Sequence, residues 1–177
     1  MFIVKERQKT LDLSKVFFWF IIYSFIGWVY ETAYCSITTQ KLADRGILYG
    51  PICPIYGACI VLMIVVFENN KKSISLFFQC AFIATVMEYV ISCGMEKVLH
   101  RRWWNYSSMP FNINGRICIV ASILFGISGV LFVRYIHPNL VQYINMNLSE
   151  KSMRKCNRIF LVLYIYDNFI TFKPFLN

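Results

Sequence analysis

Apolar residues along this chain come in long continuous runs separated by polar connectors. The first run, residues 16–34, reads VFFWFIIYSFIGWVYETAY, with Glu31 its only charge. The second, 56–67, is extended backwards by GILYGPICPIYG. The third, 74–99, carries Glu88, Glu96 and Lys97, and the fourth, 117–136, has Arg134 near its end. The last, 159–172, is shorter and contains Asp167. None of the runs alternates apolar and polar positions, so helices are expected and not the strands of a barrel. A membrane span needs about 20 mostly apolar residues, and a helix satisfies its own backbone groups inside lipid. The predicted fold is all-α: a polytopic transmembrane bundle of about five helices, four read as spans outright. The last run is expected to span, with an interfacial helix as the alternative.

This reading divides the chain into a cytoplasmic N-terminal segment (1–15), a core transmembrane domain (16–137), a basic cytoplasmic linker (138–158) and a last transmembrane helix with its tail (159–177). No small-residue cleavage site follows the first run, which is therefore expected to stay as an anchor. Composition agrees: 58% of residues are hydrophobic and 15% charged, against about half and a quarter in soluble domains.

The net charge of +9 would point to nucleic acid in a soluble protein. No nucleic-acid reading motif is present, and the bilayer is the expected partner, with basic loops at its surface. Eleven basic residues share the side of the N-terminus: Lys5, Arg7, Lys9, Lys15, Lys71, Lys72, Arg134, Lys151, Arg154, Lys155 and Arg158. Seven lie opposite: Lys41, Arg45, Lys97, Arg101, Arg102, Arg116 and Lys173. The positive-inside rule thus favours a cytoplasmic N-terminus in a multi-pass plasma-membrane protein. The seven cysteines form no CxxC pair and are read as apolar packing, without a zinc site or disulfide framework. No cofactor is expected.

Four acidic residues fall inside apolar runs: Glu31, Glu88, Glu96 and Asp167. An ionisable group in a span is costly and normally finds a partner in the bundle interior. In the expected orientation all four lean towards the outer side. Glu88, Ser92, Glu96 and His100 recur every four residues and form one polar stripe. Tyr23, Gly27 and Glu31 form another, and the two stripes are candidates to face each other across a polar cavity.

The two outer connectors are unusual. RRWWNYSSMPFNINGR (101–116) gathers three arginines and two tryptophans in sixteen positions. Its arginines, with Arg45, have the forked donors that bind carboxylates or phosphates, and so either neutralise the glutamates or hold a ligand. Trp103 and Trp104 fit an interfacial belt, with ligand contact as the alternative. Asn114 is a candidate cap for the fourth helix. Arg116, near that helix's N-terminus, opposes its dipole and calls for an anionic partner. In the other connector, Pro51 and Pro54 each lack an amide donor, so 50–57 resists helix formation. A broken or re-entrant start to the second span, of the kind that marks transport sites, competes with a plain surface loop. Ser122, Gly126 and Gly129 give the fourth helix a small face for close packing.

The blocks IIYSFIGWVYE, DRGILYGPICPIYG, RRWWNYSSMPFNINGRICI and IHP occur in that order. Over roughly residues 16–140 the chain resembles the bacterial family of type IV ABC-transporter permeases (CmpB-like). The family's motif residues fall on Gly27, Trp28, Glu31, Arg45, Gly46, Gly50, Pro51, Pro54, Tyr56 and Gly57. They continue on Glu88, Glu96, Trp103, Trp104, Tyr106, Asn114, Gly115 and Arg116. The resemblance implies the membrane component of a transporter. No GxxxxGK[ST] loop is present, so an ATPase would be a separate subunit. Five short helices enclose little volume, which makes a homo-oligomer the expected form. The expected substrate-binding set is Glu31, Arg45, Glu88, Glu96, Trp103, Trp104, Asn114 and Arg116.

Two other functions stay open at this point. One is an intramembrane enzyme on a lipid or lipid-linked substrate, with carboxylates as acid and base. Against it, only His100 and His137 are available, on opposite predicted sides, and no nucleophile stands out. The other is a non-catalytic membrane partner or regulator.

Overall fold

The computed structural model describes residues 12–43, 45–70, 72–100 and 102–175. Of the basic positions weighed above, Lys5, Arg7, Lys9, Lys71 and Arg101 lie outside the described residues. Five α-helices follow in order among them: α1 (Leu13–Thr39), α2 (Pro54–Phe67), α3 (Ser73–Leu99), α4 (Ile119–Asn147) and α5 (Glu150–Phe172). Among the described residues there is no strand, only an isolated bridge between Ile113 and Ile117.

Local chemistry sets the helix ends. Asp12 caps α1, its Oδ1 accepting from Ser14 N–H at 3.0 Å. Pro54 opens α2, where its missing N–H costs nothing. Helices α1 and α3 stop at residues in the left-handed region, Gln40 and His100. Helix α4 begins at Cys118, whose Sγ accepts from Ala121 N–H. Asn114 is therefore not its cap: it sits in a turn at φ 53°, four residues too early.

At about 1.5 Å per residue, the 27 residues of α1 and of α3 each reach about 40 Å, more than the hydrocarbon core of a bilayer. Among the described residues, helices α1, α3 and α4 are the three that are long and apolar enough to cross a membrane. Their outward faces suit lipid: Phe78, Phe82, Val86 and Val90 form an exposed apolar stripe at every fourth position of α3. Helix α2 is apolar but only 14 residues long, about 21 Å.

The stretch 138–158, expected as a linker, is mostly helical. Helix α4 runs through Pro138 because a single π-turn, Phe132–Ile136, precedes it. There His137 N–H returns to Phe132 O, which resets the ladder before the residue that lacks a donor. The break falls instead at Leu148, in extended backbone, and Ser149 caps α5 by accepting from Ser152 N–H at 3.1 Å. Helix α5 therefore starts nine residues before the apolar run, and its first turns carry Lys151, Arg154, Lys155 and Arg158. It is not among the three helices apolar enough to cross.

Helices α1 and α2 form one tight pair and α3 and α4 another. Gly27 lies against the Tyr56 ring and Gly57 against Ser24, so α1 and α2 touch almost backbone to backbone. Gly126 and Gly129 meet Phe77 and Cys80 in the same way, and Thr85 Oγ1 donates to Ser122 Oγ at 2.8 Å. The small face of α4 is thus what admits α3. Helix α2 touches α3 and links the pairs through a core of Tyr23, Ile60, Met63, Ile64, Leu76, Cys80, Ala84 and Val133. Tyr23, fully buried, shares a 2.6 Å hydrogen bond with His137 Nδ1. Helix α5 joins α1: Asn157 Nδ2 donates to Ser14 O at 2.7 Å, and Tyr164 packs edge-on against Phe20.

Candidate functional site

The helix directions bring both unusual connectors, 40–53 and 100–118, to one end of the bundle, with the C-terminal ends of α1, α3 and α5. Both connectors then dip back between the helices. Cys53 N–H donates to Ser24 O at 3.0 Å, and Ser24 lies fifteen residues, about 22 Å, before the end of α1. Tyr106 Oη donates to Glu88 Oε1 at 3.1 Å, and Glu88 lies eleven residues, about 16 Å, before the end of α3. The irregular backbone finds partners inside the protein, which is the condition for tolerating it at depth. Asp167 of α5 secures the first connector by accepting from Tyr49 N–H at 2.9 Å and Gly50 N–H at 2.8 Å.

Among the described residues, the arginine–glutamate ion pairs at this end form two separate groups. In the first, Arg45 donates to Glu31 Oε1 through Nε at 3.0 Å and Nη2 at 2.6 Å. Cys53 Sγ donates to the other oxygen of Glu31 at 3.6 Å. The guanidinium of Arg45 is lowered by burial, but the hydrogen bond and charge of Glu31 outweigh this and hold it above its ordinary range. Burial, then the charge and hydrogen bond of Glu31, push the Cys53 thiol up to about 12, with Arg45 opposing.

In the second group, Arg116 donates through Nη2 to Glu96 Oε2 and through Nη1 to Ser92 Oγ at 3.0 Å. Its hydrogen bond to Glu96 holds the guanidinium above its ordinary range. Arg102 donates through Nε to Glu96 Oε1 at 2.9 Å and through Nη1 to Asn114 O at 3.0 Å. The anionic partner that Arg116 calls for is thus Glu96. Asn114 Nδ2 donates to Tyr89 Oη at 2.9 Å and so ties the connector to α3. Trp104 Nε1 donates to Arg116 O at 3.0 Å, and Trp103 is half-buried beside it.

Glu88 stands apart from both groups. It is 7% exposed and takes its hydrogen bond from Tyr106. Burial, then the charge and hydrogen bond of Glu88, with smaller effects of Cys118 and Glu31, push the Tyr106 phenol above its ordinary range. Tyr106 therefore stays a neutral donor within electrostatic reach of both carboxylates.

The eight expected residues gather at one end, but not around one open polar cavity. Helix α1 packs chiefly on α2, and α2 in turn on α3. The Tyr23–Gly27–Glu31 stripe is therefore taken up piecewise: Tyr23 bonds to His137 of α4, Gly27 is closed by the Tyr56 ring of α2, and Glu31 is held by Arg45 and Cys53 of the connector. A cavity of about 280 Å³ beside α3 is lined by Thr85, Val86, Tyr89, Val90, Ile113 and Ile117, and its surface is apolar. Among the described residues, no three His, Cys, Asp or Glu side chains converge to hold a metal ion. Sequence reasoning missed Tyr106 and Cys53 as partners of the glutamates. Tyr106 stood in a motif block, but no spacing rule pairs it with a residue eighteen positions away.

Comparison with curated proteins and with solved structures gave no match. A family model described as Putative ABC-transporter type IV matches residues 18–172, which takes in both connectors, both ion-pair groups and Glu88. The chain belongs to that family.

Proposed function

We propose that this chain is the membrane permease subunit of an ABC transporter in a bacterial plasma membrane, driven by an ATPase on a separate chain. Family membership, three helices long enough to cross a bilayer and a sequence without a P-loop support the reading. The positive-inside rule supports a cytoplasmic N-terminus, with the two dipping connectors outside. In that orientation the basic first turns of α5, together with the turn at 68–70, offer the ATPase its docking surface. A homo-oligomer would complete a pathway that a single copy is too small to enclose.

The observation that carries the site is the return of both connectors into the bundle, onto Glu31 and Glu88. Glu31 with Arg45 and Glu96 with Arg116 supply two charged groups under the connectors and Glu88 a third polar point, Asn114 holds the second connector, and Trp103 and Trp104 sit at the membrane boundary. Glu31→Gln or Arg116→Gln should abolish substrate-stimulated ATP hydrolysis by the assembled transporter while the protein still reaches the membrane. Normal stimulation in both variants would refute the site.

One observation favours a second reading, a non-catalytic membrane partner. Arg45, Arg102 and Arg116 are each engaged by a glutamate of the same chain, which is what charges that only hold helices in register would do. Full tolerance of glutamine at Glu31 and Glu96 would support it.

A further inference from the structure

Among the described residues, Glu88 differs from every other carboxylate at the connector end. Glu31 has Arg45 and Cys53, and Glu96 has Arg102 and Arg116. Asp167 has two backbone amides. Glu88 Oε1 accepts from Tyr106, but Oε2 is buried and has no hydrogen-bond partner among the described residues. A buried anionic oxygen without a donor is among the most costly arrangements a fold can hold, and a neutral O–H there costs less.

The surroundings narrow what can fill the gap. From α1 the group within electrostatic range is Glu31, already neutralised by Arg45; from α2 it is the Cys59 thiol; from the connector it is Tyr106. Along α3 itself, Arg116 is turned onto Ser92 and Glu96, one and two turns further on. No cation of the chain reaches Oε2 among the described residues. A metal would need several ligands, and they do not converge here. Oε2 is also closed to solvent.

We propose that Glu88 Oε2 is a proton-binding site, closed from the connector end by Tyr106. In loading, local opening of the Tyr106 connector admits a hydronium ion, which gives one proton to the carboxylate, forming one O–H bond, and departs as water; unloading is the reverse. Tyr106 keeps its own proton throughout and acts as a positioning residue, donating to Oε1. The site would let the connector end sense or carry protons, a property beyond the permease role. It builds on the reading of this end as functional but not on the ATPase, so its test and the search for an ATPase fail independently.

The test is infrared difference spectroscopy of the full chain in lipid nanodiscs, between mildly acidic and mildly alkaline buffer. A protonated-carboxyl band should change with pH, vanish in Glu88→Gln and persist in Glu31→Gln. In Tyr106→Phe it should persist at a shifted frequency, because the hydrogen bond to Oε1 is gone. A band unaffected by Glu88→Gln, or no pH-dependent carboxyl band in the wild type, would overturn the proposal. If Glu88→Gln does not fold, a hydrophobic carbodiimide applied to the wild type decides. It takes the acid's proton on nitrogen and the carboxylate oxygen on its central carbon, so only a protonated carboxyl reacts. The adduct should map to Glu88 and decline as pH rises; adducts elsewhere with none on Glu88 would overturn the proposal.

Discussion

Arg45 lays two donors on a single oxygen of Glu31, Nε at 3.0 Å and Nη2 at 2.6 Å, and leaves the second oxygen to Cys53. This pair fixes the first connector to α1 and keeps Cys53 deep in the bundle.

The pair is intermediate in exposure, with side chains 27% and 20% accessible. Arg45→Ala strands a half-buried carboxylate and should cost about 2 kcal/mol, between the values for exposed and buried pairs. The double change Arg45→Gln with Glu31→Gln leaves no unpaired charge and should cost less than the two single glutamine changes added together. A double-mutant cycle on unfolding in mixed micelles measures this; strict additivity would show that the pair is not coupled.

Cys53 should resist alkylation. Thiol reagents need the thiolate, and this thiol is buried and pushed up to about 12. The thiolate fraction grows only as pH approaches that value, so labelling should stay negligible through neutral and mildly alkaline buffer. Half-buried Cys35, beyond the ion pair on α1, should label faster. Peptide mass spectrometry after maleimide treatment reads both, and equal rates would contradict the described burial.

Two glycine substitutions should part company. A Cβ at Gly57 would stand 2.2 Å from Ser24 Oγ and 2.4 Å from Phe20 O. Gly57→Ala should therefore force α1 and α2 apart and cost about 1–3 kcal/mol or more. At Gly94 a Cβ meets nothing within 4 Å, and Gly94→Ala should be neutral or stabilise by up to about 1 kcal/mol. Thermal unfolding of both variants in the same detergent checks the contrast.

Orientation has its own check. Ser107→Cys, in the second connector, should react in intact cells with a membrane-impermeant maleimide, whereas Ser152→Cys, in the first turns of α5, should react only after the cells are opened. The reverse pattern would invert the topology and place the connector end inside.

Much of the fold was legible because its causes are local. Continuous apolar runs can only be helices in lipid, and the small face of Ser122, Gly126 and Gly129 announced a close neighbour. What escaped depends on chain path or on local resets. The helical continuation through 138–147 was not drawn out because the apolar run ends at Ile136 and the residues after it read as a basic linker, and the π-turn that carries the helix through Pro138 has no sequence signature. Asn114 has a capping side chain, but the turn through Gly115 places it four residues before the cap position. The need of Arg116 for an anion was readable from its place; that Glu96 meets it depends on the connector folding back along α3. The meeting of Tyr106 and Glu88 has the same origin.

The proposed permease role requires a separate ATPase bound to this chain in the membrane. The most direct measurement is purification of the tagged protein from its native membrane in mild detergent, with every co-purifying chain identified and quantified. A P-loop ATPase present in stoichiometric amount is the predicted result. Reproducible recovery of the chain with lipid alone, or with partners that hydrolyse no nucleotide, would contradict it.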